Sequence, residues 1–127
     1  MPSVGGRIGR RPPLLMASRT PQKRLSTREL NALIEEAIVD AHDVSEQRVG
    51  FHAVLEEHLA VPFTTTVLGV PVEVEGVDFN DAEEIVAICR RGSHRQLISL
   101  VDLPLPSPPP HGGEWIQAYR RWIRGGR

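Results

Sequence analysis

Pro62 divides this chain into two textures, and no helix can run across it. The residue before a proline is pushed out of the helical region, so a helix arriving from the N-terminal side must end by Val61. On that side apolar residues recur at helical spacing. Leu30, Leu33, Ile34, Ala37, Ile38 and Ala41 follow the i, i+3, i+4, i+7, i+8, i+11 pattern of one buried face. Ser26 and Glu29 stand three apart, the spacing of a capping box, and the two signals together predict a helix over 26–43. A second helix is expected from Ser45, with Phe51, Leu55 and Leu59 on its buried side and a tight connection near Asp43 to Ser45.

Beyond Pro62 the pattern changes to that of strands. "FTTTVL" is β-branched, "VPVEVEGV" alternates valine inside with glutamate outside, and "EEIVAICRR" is a continuous apolar run suited to a strand buried on both faces. Gly92 and Ser93 mark a turn before "RQLISLVDL". Four short strands with tight turns predict a small, strongly bent antiparallel sheet or partial barrel. "PLPSPPP" reads as a stiff spacer, and "GEWIQAYRRWI" as a final helix with Trp115, Tyr119, Trp122 and Ile123 on one docking side. The expectation is one α+β domain over 25–124, since 127 residues suffice for a single modest core. Residues 1–24 are rich in Gly, Pro and Arg without periodicity and read as a disordered basic arm. Met16 lies inside that arm, so either Met1 or Met16 is open as the true start.

The net charge of −1 averages three unlike parts. Residues 1–28 carry seven basic side chains and no acid; residues 29–89 carry fourteen acids against Arg48 alone; residues 90–127 carry seven arginines against two acids. Asymmetry on this scale points to partners. Phosphate binding needs a focused basic face, and arginine-rich ends with few interleaved aromatics argue against nucleic acid. No apolar run approaches the roughly 20 residues of a membrane span, which leaves a cytoplasmic reading. The single Cys89, set in an apolar run, fits that compartment and reads as a buried small hydrophobe.

The acids are the chemistry of this chain. On the expected first helix and its exit, Glu36, Asp40 and Asp43 sit at i, i+4 and i+7, with Glu46 three further on. Like charges so spaced repel by a few tenths of a kcal/mol each, and no Lys or Arg is placed to relieve them. A calcium ion would, because it takes 6 to 8 oxygen ligands and prefers carboxylates. Asp40, Asp43 and Glu46 are the candidate ligands, with Glu36, Glu56 or Glu57 completing the shell. The bland alternative is a solvated acidic face. A third reading is a non-catalytic interaction module whose acidic face meets a basic protein segment, the chain's own arm included. No EF-hand loop is present; "DFNDAEE" at 78–84 lacks its glycine and distal glutamate, and reads as a turn before it reads as a second cation site. His42, His52 and His58 lack the spacing that puts two imidazoles on one helical face for zinc. No phosphate-cradling loop, nucleophile elbow or Cys-His pair is found, so an enzyme is not expected.

The stretch "IVDAHDVSEQRVGFHAVLEEHLAVPFTTTV" resembles the small cyanobacterial-type calcium-binding proteins, the CcbP-like family. The similarity runs through Val39 to His42, Asp43, Glu46 to Arg48, Phe51, then Leu55, Glu56, Glu57, Leu59, Pro62 and Phe63. It continues in Gly69 through Gly76, in Arg95, Leu97 and Leu103, and loosely in Trp115 to Trp122, about residues 34–123 in all. The resemblance implies two N-terminal helices on a bent SH3-like sheet, holding calcium as an intracellular buffer or sensor.

Overall fold

The computed structural model describes residues 25–125; the expected arm over 1–24 lies outside them. The first helix, α1, spans Thr27–Ala37 and is capped as its sequence predicts. Glu29 N–H donates to Ser26 Oγ at 3.1 Å, and Ser26 N–H donates to Glu29 Oε1 at 2.8 Å. Two of the amides that a helix start leaves without partners are satisfied reciprocally. The helix stops at Ala37, not Asp43. Asp40 takes a left-handed conformation, φ 68°, which aspartate tolerates better than most side chains and which no helix can pass through. The apolar pattern overshoots because Ile38, the C-cap, stays buried without being helical, and Ala41 is half-buried beyond the turn.

Helix α2 spans Val44–His58 with Asp43 as its N-cap, two residues before the expected start at Ser45. It buries Phe51 and Leu55, with Leu59 just past its end. Four strands follow as an antiparallel meander in the order β1 (Phe63–Val67), β2 (Val70–Phe79), β3 (Ile85–Arg91) and β4 (His94–Ser99). A register shift between Val74 and Gly76 inserts Glu75 as an extra residue in β2, so Val74 and Val77 are both buried although three apart. Ile85, Val86, Ala87 and Cys89 of β3 are buried, as a central strand read from a continuous apolar run should be.

The last helix, α3 (Gly113–Ile123), sits between the other elements. It buries Trp115, Ile116, Ala118 and Tyr119; Trp122 is half-buried, but Ile123 faces solvent, contrary to the expected docking side. Helix α1 packs chiefly on α3, while α2 packs on α3 and on β2. Three rings lock the seam: Phe51 meets Tyr119 edge-on at 5.5 Å and Trp122 at 5.2 Å. Each fully buried aromatic of this kind contributes about 1.5–3 kcal/mol by area. The Tyr119 hydroxyl accepts from Ile85 N–H at 3.2 Å, tying α3 to the sheet. Burial holds its phenol above the ordinary value, against smaller opposing effects of that hydrogen bond and of Arg48. Arg120 donates through Nε to Leu100 O at 3.1 Å and through Nη2 to Leu103 O, fixing the chain after β4.

Two close backbone approaches set the helices. A β carbon at Gly50 would fall on the Ala37 carbonyl, so α2 crosses the end of α1 with no side chain between. A β carbon at Gly112 would fall on the His58 carbonyl, and Gly112 is itself left-handed at φ 86°. Among the described residues no helix is long and apolar enough to cross a membrane.

Candidate metal centre at the helix junction

The connection between α1 and α2 is where the acids gather, and the backbone explains why two of them are there. Asp43 caps α2: its Oδ1 accepts from Glu46 N–H at 2.8 Å. Glu46 in turn reaches back, its Oε1 accepting from His42 N–H at 2.5 Å. This is capping-box logic shifted by one residue, Asp-x-x-Glu in place of Ser-x-x-Glu. Both carboxylates also lie at the positive end of the helix dipole, which offsets part of their mutual repulsion. Each uses one oxygen on the backbone.

A third carboxylate comes from far along the chain. Ser45 Oγ donates to Glu83 Oε1 at 3.2 Å, which brings the β2–β3 turn against the first turn of α2. Glu83 is held in a left-handed conformation, φ 63°, by a turn built on Asn80. Asn80 Oδ1 accepts from Ala82 N–H and Glu84 N–H, both at 2.9 Å, and its Nδ2 donates to Glu84 Oε1 at 3.1 Å. Within "DFNDAEE" the turn that its residues suggest is Asn80 to Glu84, while Asp78 and Phe79 close β2. Its second role, delivering Glu83 to the junction, has no signal in the sequence; only the topology brings 83 to 45.

The six residues singled out from the sequence separate into groups. Asp40, Asp43 and Glu46 belong to the junction and are exposed. Glu36 is exposed in the last turn of α1, but the helix ends before Asp40, so the expected i, i+4, i+7 stripe through Asp43 does not exist. Glu56 and Glu57 lie at the other end of α2. Ten residues of helix separate Glu46 from Glu56, roughly 15 Å of rise, far beyond the span of one ion whose ligands sit about 2.3–2.6 Å away. Glu56 lies 3.6 Å from His52 Nδ1 and Glu57 lies 3.9 Å from His58 Nε2. The histidines are held apart by different rings, His52 stacked on Phe79 and His58 on Trp115.

The donors at the junction are all oxygen, which suits a hard cation such as calcium better than zinc. Among the described residues no three acidic, histidine or cysteine side chains converge ready to hold a metal. The junction is thus an exposed set of carboxylates on rotatable side chains, with its helix start ordered and its free oxygens facing solvent.

An α+β domain with an acid-rich helix junction is the class that fold and site define. Two solved structures share that fold. One, described as a calcium-binding protein in the calcium-binding form, aligns at TM-score 0.63 and 21% identity, covering 81% of this chain and 98% of its own. The other is the crystal structure of CcbP from Anabaena, with TM-score 0.57 and 23% identity over 83% of this chain and 94% of that one. The resemblance drawn from residues 34–123 holds as a likeness of fold. No protein-family model matches the chain, and no curated protein matches it.

Proposed function

We propose that this protein binds Ca²⁺ at the α1–α2 junction, as an intracellular buffer or sensor. What carries the reading is the fold it shares with a protein solved in its calcium-binding form, together with the exposed carboxylates at the junction. Asp40, Asp43 and Glu46 would supply oxygens, with Glu83 arriving from the β2–β3 turn and Glu36 near enough along the chain to contribute. A bound cation would offset the repulsion among the exposed carboxylates gathered at the junction. Asp43 and Glu46 would then carry two tasks, one oxygen capping the helix and the other facing the ion.

The second reading is an interaction module whose acidic face binds a basic protein segment. One observation favours it: no three metal-ligating side chains converge among the described residues.

A thermal melt in EDTA, then in calcium, then in equal magnesium, separates the two. A ligand of the native state at 100 times its dissociation constant adds about 2.7 kcal/mol, a shift of several degrees. Calcium should raise the midpoint and magnesium should do so much less. No rise with either ion sinks the calcium reading and leaves the acidic face as a protein-binding surface.

A further inference from the structure

The helices leave one end of the sheet uncovered. Where the β1–β2 and β3–β4 hairpins turn, Val67, Val70, Val72 and Ile98 line an open groove of about 360 Å³, and among the described residues no helix side chain borders it. The strand register places these side chains on the face that carries Val74 and Cys89, the face the helices cover elsewhere. The groove is therefore the core surface of the sheet continued past its lid.

Its rim is basic. Arg91 and His94 are paired across the β3–β4 hairpin and, by the same alternation, stand on the groove side. Arg90 and Arg95 of that hairpin both reach Glu75. Among the described residues Arg91 and His94 meet no carboxylate.

The opposite lip holds Leu68, 97% exposed. It occupies the first position of a two-residue hairpin turn at φ 52°, where Asn, Asp or Gly is ordinarily found. A leucine there is strained in its backbone and unburied in its side chain, and nothing within the described chain compensates either cost. Strained positions of this kind collect where a surface has work to do.

We infer that this groove docks an acidic peptide segment of a partner protein, one bulky apolar side chain filling the floor and flanking carboxylates meeting Arg91 and His94. Leu68 packs along the segment as it leaves the groove. Charge complementarity selects the occupant. The chain's own residues 1–24 include six basic side chains and no acid, so the same rim repels them. The volume suits a single large side chain at the low end of ligand-sized pockets. The site stands apart from the calcium junction and does not depend on it.

Fluorescence polarisation of the full chain in EDTA against a labelled acetyl-Glu-Asp-Phe-Glu-Leu-Asp-amide probe tests this without involving a cation. Saturable binding is expected, weakened roughly tenfold or more by Leu68→Asp and by Arg91→Glu, a loss that alanine scanning assigns to true anchor residues. Both positions are exposed, and aspartate suits the left-handed backbone at 68 better than leucine, so neither variant should melt below the parent and the loss is not unfolding. No saturation by about 1 mM, the weakest affinity worth the name, overturns the proposal, as does equal binding by both variants or by a probe with Lys in place of each acid. Two further arms decide against it in favour of other occupants. Co-sedimentation with phosphatidylserine vesicles that Leu68→Asp abolishes, without peptide binding, assigns the groove to a lipid surface. Concentration-dependent self-association lost in the same variants, again without peptide binding, assigns it to a second copy.

Discussion

The two ends of α2 are held by opposite means. At its start, exposed carboxylates satisfy backbone amides: Asp43 receives Glu46 N–H and Glu46 receives His42 N–H. At its finish, backbone meets backbone: Gly112 lies against the His58 carbonyl, and Ala60 N–H donates to His111 O at 2.8 Å. The finish is closed, with Leu59 and Trp115 buried beside it. The start is adjustable, because side chains in water can exchange one partner for another. The proposed cation site uses the adjustable end, and the glutamates at the closed end stand too far from it to share one ion.

The comparison breaks hardest at the closed end. Gly112→Ala should cost about 3 kcal/mol, from a β carbon in a left-handed residue and a clash with backbone that has no room to move. Denaturant or thermal unfolding should show it as a fall of more than ten degrees, at roughly 4–8 °C per kcal/mol for a domain of this size. Asp43→Ala should cost about 1 kcal/mol through loss of the cap, and should also shrink the rise in midpoint produced by calcium. Removing this acid therefore destabilises the protein, where repulsion alone would have predicted a gain. Glu46→Gln sharpens the distinction further. Glutamine can keep the bond to His42 N–H, so stability should stay within about 0.5 kcal/mol while calcium stabilisation falls. Glu56→Gln should change neither, again within about 0.5 kcal/mol. An equal loss of calcium response in Glu46→Gln and Glu56→Gln would remove the distinction between the two ends.

The buried side of the molecule should announce itself only in alkali. Tyr119 is the single tyrosine, so tyrosinate absorbance reports it alone. Its pKa is raised by burial, so above pH 10 the folded state keeps a proton that the unfolded state releases. Stability is then fully present below pH 10 and falls as pH rises towards the folded value. Ionisation of Tyr119 should be delayed relative to the unfolded chain and should coincide with loss of structure.

Much of this architecture was legible in the sequence, for reasons that can be named. Ser26 and Glu29 marked a helix start because a capping box is a local device, closed within four residues. β3 was visible because both of its faces are covered, which leaves an unbroken apolar run. The end of α1 was not visible: Ile38 and Ala41 keep the helical period while Asp40 turns the chain, and a left-handed aspartate carries no mark in the sequence. Asp43 and Glu46 repeat the spacing of Ser26 and Glu29, so their capping role is legible in the sequence beside the charge that makes them candidate ligands. Glu83 could not have been placed at all, since its approach to Ser45 depends on how the β2–β3 turn lies over α2. Charge in sequence shows that acids are abundant; only the fold shows which of them can meet.

The position of α3 has a consequence for how the protein is made. Helix α1 packs chiefly on α3, about 75 residues or more further along the chain, and Phe51 of α2 waits for Tyr119 and Trp122 from that same helix. Contacts between distant parts of a chain slow folding, because loop closure must precede the contact that rewards it. Until α3 has been made, the nascent chain exposes the apolar faces of α1 and α2 that α3 covers in the folded protein. Synthesis of this protein therefore passes through an intermediate with a use for chaperones, and a chain truncated before Gly113 should aggregate and not form a smaller domain.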